Sequence, residues 1–218
     1  MIEVSFSSFT RYGPKSNSHK VSNMCVNTET FGIVDRRFLL GLITHKALEM
    51  ITQVFQSHDL SKVKFSNQEM YDCGDKLVKN CLSEDDEMFH RTNNSVRKNL
   101  RMAKQMLLNN NHDFSILSVE KVYKMRVNSN LILTAKPDLV LVSGQEIRII
   151  DWKTQSIANT RTDNEQLSIY KMVLEEHFPK FKISTFSAYL KLGSWTEEWH
   201  TENYKAELLE EIISVHRH

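Results

Sequence analysis

The stretch Ile147-Arg148-Ile149-Ile150-Asp151-Trp152-Lys153 carries isoleucine on both of its alternating faces as far as Ile150 and then ends in charge. A strand buried on both sides has this pattern, so it is expected at the centre of a sheet. Successive side chains of a strand point to opposite faces, so Asp151 and Lys153 share one face and Trp152 takes the other. A carboxylate and an ammonium are then held side by side at the mouth of a core. Burial is costly for both unless they are paired or bind a metal.

The run before it, residues 131–142, is aliphatic except for Lys136-Pro137-Asp138 in its middle. Pro137 has no amide hydrogen for a ladder, so a break or bulge that re-aims neighbouring side chains is expected there. If Ser143-Gly144-Gln145 is a hairpin turn, Asp138 lies one strand away from Asp151, and the two carboxylates converge on one cation. Hard oxygen donors of this kind suit Mg²⁺ or Mn²⁺, which also accept a phosphate oxygen. Phosphodiester hydrolysis is the chemistry expected, with Asp138, Asp151 and Lys153 as its catalytic core. Lys153 would orient the attacking water or stabilise developing charge. The Trp152 carbonyl is expected as a further metal ligand beside Asp138 and Asp151.

Working outward, residues 116–127, 131–142 and 146–152 read as three consecutive antiparallel strands, 183–192 as a fourth and 195–200 as a short fifth. Helical spacing predicts helices over 35–55, with Asp35 as N-cap, and over 67–82, 93–108, 163–178 and 203–215. Residues 1–34, with the turn signal Gly13-Pro14, read as an irregular lead-in. The order implies an α/β fold with a mixed sheet of four to five strands flanked by helices. At 218 residues the chain is expected to be a single domain spanning 1–218, with a helical segment at 56–113 inserted before the sheet.

Cys25, Cys73 and Cys81 are odd in number and lack paired spacing, which argues against a zinc site or a disulfide framework. Without a long apolar run or a basic-then-apolar leader, no membrane association is expected and an intracellular location is. The net charge of +1 gives no general pull toward nucleic acid, so phosphate binding needs local clustering. Arg97, Lys98, Arg101 and Lys104 supply one along the polar side of a helix. Arg97, Arg101 and Lys104 are expected to grip a nucleic-acid backbone. Trp195 and Trp199 are read as core rather than as stacking platforms.

These features resemble the PD-(D/E)XK nuclease superfamily, within it the RecB-like branch that includes the RecB nuclease domain and the mitochondrial genome maintenance exonuclease. Gly41-Leu42-Ile43-Thr44-His45-Lys46-Ala47-Leu48-Glu49 looks like that branch's helical motif, which implies His45 as a metal ligand and Glu49 as a group orienting it. Glu120 stands in the strand before the Asp, where many relatives carry a Glu, and is read as a supporting group. Gln166-Leu167-Ser168-Ile169-Tyr170 matches the Q-x-x-x-Y helix and implies substrate positioning by Gln166 and Tyr170. Ser5 to Tyr12 is similar to the Ser-rich opening segment.

Two positions depart from the branch: Ala135 stands where relatives usually have Gly, and no cysteine follows Cys81, so no iron–sulfur cluster is expected. The resemblance implies a Mg²⁺- or Mn²⁺-dependent deoxyribonuclease acting on DNA ends or single strands. Unwinding would be left to a helicase or another nucleic-acid-processing partner. The competing readings are a catalytically silent nucleic-acid-binding subunit and an RNA endonuclease of the cap-snatching type.

Overall fold

A computed structural model of the chain describes residues 2–5, 36–85, 87–156, 160–198 and 202–215. The Ser-rich segment after Ser5, Gly13-Pro14, Cys25, the Asp35 cap and Trp199 lie outside the described residues.

Strand β6 (Glu146–Lys153) is the middle strand of a five-stranded sheet, as its two apolar faces require. The sheet runs β2 (Ser115–Val119), β5 (Leu139–Ser143), β6, β7 (Lys182–Tyr189), β8 (Ser194–Glu198). Its pairs are antiparallel except β6 with β7, which is parallel. The β5–β6 turn is two residues, Gly144-Gln145, with Gly144 at φ 54°, a conformation that glycine adopts without a Cβ clash.

Side-chain alternation divides the core in two. Leu139, Leu141, Ile150 and Trp152 face a layer of three helices, α1 (Arg36–Val54), α2 (Asn67–Cys81) and α3 (Glu87–Asn110). Val140, Ile147 and Ile149 face α4 (Thr160–His177), on which α5 (Glu202–Val215) packs through Leu208 and Ile212. By the same alternation Asp151 and Lys153 lie on the α4 side. A buried hydrogen bond from Asn99 Nδ2 to Thr44 Oγ1 (3.2 Å) ties α3 to α1 beside His45. Arg148 locks the end of α3 to the sheet, donating to the Asn110 carbonyl at 2.8 Å and lying over the Phe114 ring.

Four features differ from the sequence expectation. The run 131–142 is two strands, β4 (Leu131–Ala135) and β5, and they belong to different sheets. Pro137 cannot continue the ladder, and the chain changes sheet there. The run 116–127 divides likewise into β2 and β3 (Tyr123–Arg126), at Glu120, whose φ is 50°. The irregular lead-in contains a strand: β1 (Ile2–Ser5) pairs parallel to β4, which also pairs antiparallel to β3, giving a second sheet in the order β1-β4-β3. Helix α3 starts at Glu87 instead of residue 93, because an acidic residue in a first turn complements the helix dipole. Trp195 packs on the first core with its ring 5.1 Å from Phe186.

Candidate active site

Three elements bring donor atoms together where the two sheets part. His45 comes from α1, Asp138 from the start of β5 just past Pro137, and Glu120 from the left-handed residue that ends β2. One donor atom from each lies within 4.8 Å of the others. His45 Nδ1 is 3.3 Å from Asp138 Oδ1, and the other Asp138 oxygen accepts the Trp152 amide at 2.6 Å. Glu120 donates its own amide to the Asp138 carbonyl (3.2 Å) and pairs its carboxylate with Lys136 at 2.5 Å. A non-glycine residue at φ 50° costs about 1 kcal/mol. Here that conformation turns the Glu120 carboxylate toward the cluster.

On the α4 side, Lys153 Nζ contacts Asp151 Oδ2 (2.6 Å), Asp163 Oδ1 (2.9 Å) and Gln166 Oε1 (2.8 Å), so its three donors meet three acceptors. Gln166 Nε2 donates to Asp151 Oδ1 and to the Tyr170 hydroxyl, each at 2.8 Å. Asp163 also accepts from the Tyr189 hydroxyl at 2.6 Å. Asp163, Gln166 and Tyr170 occupy one face of α4 at three- and four-residue spacing.

The electrostatics follow from crowding. Burial alone would lower the His45 pKa, but the charge and hydrogen bond of Asp138, with Asp151 and Glu120 nearby, raise it to about 9. Burial and the Asp138 charge push Glu120 up to about 7 against the pull of Lys136. They push Asp151 up to about 6 against Lys153 and His45. Burial would raise Asp138 too, yet His45 and the Trp152 amide hold it below the ordinary carboxylate value. Burial likewise opposes the charge on Lys153, and Asp151 and Asp163 overcome it and raise its pKa. Three acids with two raised values are a concentration of negative charge that a divalent cation would relieve. The donors, imidazole and carboxylate, are of the type Mg²⁺ and Mn²⁺ accept.

The structure thus brings His45, Asp138, Asp151, Lys153, Gln166 and Tyr170 into one region, and it adds contacts to the expected set. Glu120, read as a supporting group, presents its carboxylate within the cluster itself. Asp151, expected among the ligands, also contacts Lys153 and Gln166. Trp152 also donates its amide to Asp138, which holds its peptide unit beside the cluster. Glu49 bonds to Lys46 (2.7 Å) and Gln53 (3.2 Å) on its own helix, and His45 is held by Asp138. In the basic helix, Arg97 forks onto Asp75 of α2, and Lys104 donates to the Phe65 carbonyl and Asn67. Arg101 is the exposed member of the trio. Asp163 and Tyr189 were missed. Asp163 could have been found from its position three residues before Gln166, on the same helix face.

The central mixed sheet with helices on both faces and acids at its mouth defines a restriction-endonuclease-like α/β fold. Residues 23–216 match the family model of the PD-(D/E)XK nuclease superfamily, and the chain belongs to that superfamily, whose activity is metal-dependent nucleolysis. No curated protein matches the chain in sequence. Among solved structures it is similar to the crystal structure of SSO0001, with 16% identity, coverage of 85% of this chain and 88% of that one, and a TM-score of 0.35. That superposition is too loose to bear on function. No helix among the described residues is long and apolar enough to cross a membrane.

Proposed function

We propose that the chain is a Mg²⁺- or Mn²⁺-dependent deoxyribonuclease of the RecB-like branch, acting as an exonuclease or on single strands. The observation that carries this reading is the convergence of His45, Glu120 and Asp138 next to a lysine fixed between two buried acids. His45, Asp138 and Glu120 would hold the cation, with Asp151 and the Trp152 carbonyl completing its oxygen ligands. A cation held there supplies Lewis-acid charge to the phosphodiester and acidifies the attacking water.

The chain's own residues do the rest. Lys153 places an ammonium where negative charge develops on the phosphoryl group, and the Asp151–Gln166–Asp163 frame holds it there before substrate arrives. Gln166 and Tyr170 fix the Asp151 carboxylate in one orientation, which is the preorganisation that turns binding into rate. Separation of duplex strands would come from a helicase or a similar partner.

The test is cleavage of labelled single-stranded DNA, duplex DNA and RNA with Mg²⁺, Mn²⁺ or chelator, alongside calorimetric titration of Mn²⁺. Metal-dependent DNA cleavage is expected, with Asp138→Ala losing both cleavage and Mn²⁺ binding. Cleavage of RNA alone would make the chain an RNA endonuclease of the cap-snatching type. DNA bound but uncut under every condition would make it a silent binding subunit.

A further inference from the structure

A cavity of about 460 Å³ opens past the carboxyl ends of the parallel strands β6 and β7. It is lined by Arg37 and Phe38 from the first turn of α1, by Thr154, Gln155 and Ser156 after β6, and by Lys191 after β7. In α/β sheets ligands bind outside the carboxyl ends of parallel strands. The cavity lies on the same two elements, α1 and the end of β6, that carry His45 and Lys153. A Cβ at Gly41 would come 3.1 Å from Thr154 Oγ1, so α1 lies close on the exit of β6 at that point. Arg37, Gly41 and His45 follow one another at four-residue spacing, along one face of the helix. Arg37 is therefore about 12 Å from His45 along the axis, outside the reach of the scissile phosphate and within reach of a neighbouring nucleotide. Gln155 extends the link, donating to Asp163, the acid that holds Lys153.

The lining chemistry is unusual for a solvated rim. Phe38 is 60% exposed, and Arg37 and Lys191 are both exposed beside it. An exposed ring that lines one cavity with two cations matches an unpaired nucleotide, with a π-face for the base and positive charge for the phosphate. A base within a duplex would present no face to the ring.

We propose that this cavity is a subsite for one unpaired nucleotide of the substrate strand flanking the cleaved bond, with Phe38 stacking on its base and Arg37 and Lys191 holding its phosphate. The subsite rests on the nuclease reading for its meaning, and it selects strands that are single-stranded on that side of the cut.

The experiment measures binding, so that it stands apart from catalysis. Wild type, Phe38→Ala, Phe38→Trp and Lys191→Ala are titrated against a short labelled oligodeoxythymidylate and an abasic strand of the same length, by fluorescence anisotropy at several salt concentrations. Both positions changed carry exposed side chains, and melting curves check that each variant is folded. Phe38→Ala is expected to weaken the thymidylate strand about tenfold, the scale of one base–aromatic contact, and to leave the abasic strand unchanged. Phe38→Trp should restore the loss. Lys191→Ala should weaken both strands and flatten the salt dependence. Equal affinity of wild type and Phe38→Ala for the thymidylate strand, or equal losses on both strands, overturns the subsite even if the enzyme cleaves DNA. The expected pattern in a protein that cleaves nothing supports the subsite and overturns the nuclease reading instead.

Discussion

Lys153 is held by Asp151, Asp163 and Gln166 at once and is largely buried, so its removal has two separable effects. Breaking a buried pair from one side leaves uncompensated acids and typically costs about 3–5 kcal/mol. A purely chemical reading of a D-x-K strand end misses this, because it treats the lysine as a group that serves only the transition state. Lys153→Ala is therefore expected to melt well below wild type and to lose cleavage by about a hundredfold or more. Adding Asp163→Asn, which removes one of the stranded charges, should recover much of the melting temperature and none of the rate. If the double variant regains cleavage, Lys153 acts only as a structural counter-ion.

The single-residue pattern showed which side chains share a strand face, because that follows from period-two alternation, and it made Asp151 and Lys153 neighbours. It could put Asp163 on the helix face of Gln166 but not against the lysine, and it gave no sign of Tyr189, 36 residues beyond Lys153. Those contacts depend on how α4 crosses the sheet. The Lys136–Glu120 pair was hidden as well, since it joins the two points where the strand runs are interrupted.

At the scale of elements, local chemistry located the breaks but not where the chain goes after them. Pro137 marked an interruption in 131–142, yet a bulge and a change of sheet have the same local signature. Only the pairing of β4 with β1 and β3, and of β5 with β2 and β6, distinguishes them. The basic stripe of α3 is a similar case: periodicity gives a polar face without saying what lies opposite. Opposite Arg97 is Asp75, whose carboxyl is held below its ordinary pKa by the Arg97 hydrogen bond and charge, against a smaller burial effect than that hydrogen bond. A depressed acid contributes stability above its unfolded pKa, near 4, and loses it as pH falls through the lower folded value. Arg97→Ala should therefore lower stability at neutral pH by no more than about 1 kcal/mol, since the pair is partly exposed. The difference should vanish at a pH where Asp75 is protonated in both proteins. Urea melts across that pH range check it. A difference that persists in acid would mean that Arg97 supports α2 and α3 through packing on Tyr71 instead.

For the whole molecule the governing quantity is a net charge of +1, which leaves no broad field to draw a polyanion in. Binding of a nucleic-acid strand must then come from a few local contacts, and the count of those contacts is measurable. For single strands the slope of log affinity against log salt is about −0.7 per phosphate neutralised. With Arg97 and Lys104 committed to Asp75, Phe65 and Asn67, the basic helix has Arg101 left as an exposed cation from the trio. The cavity beside β6, lined by Arg37 and Lys191, adds one phosphate position. The one phosphate held in the cavity gives a slope of about −0.7, and a second at Arg101 gives about −1.4. Arg101→Glu is expected to bring the steeper slope down by about 0.7 and to weaken every strand tested to a similar extent, because a phosphate contact reads no base. Anisotropy titrations of wild type and variant over a salt series decide it. A slope and affinity equal to wild type would remove α3 from the binding surface and leave its basic stripe as a solvated face pinned to α2.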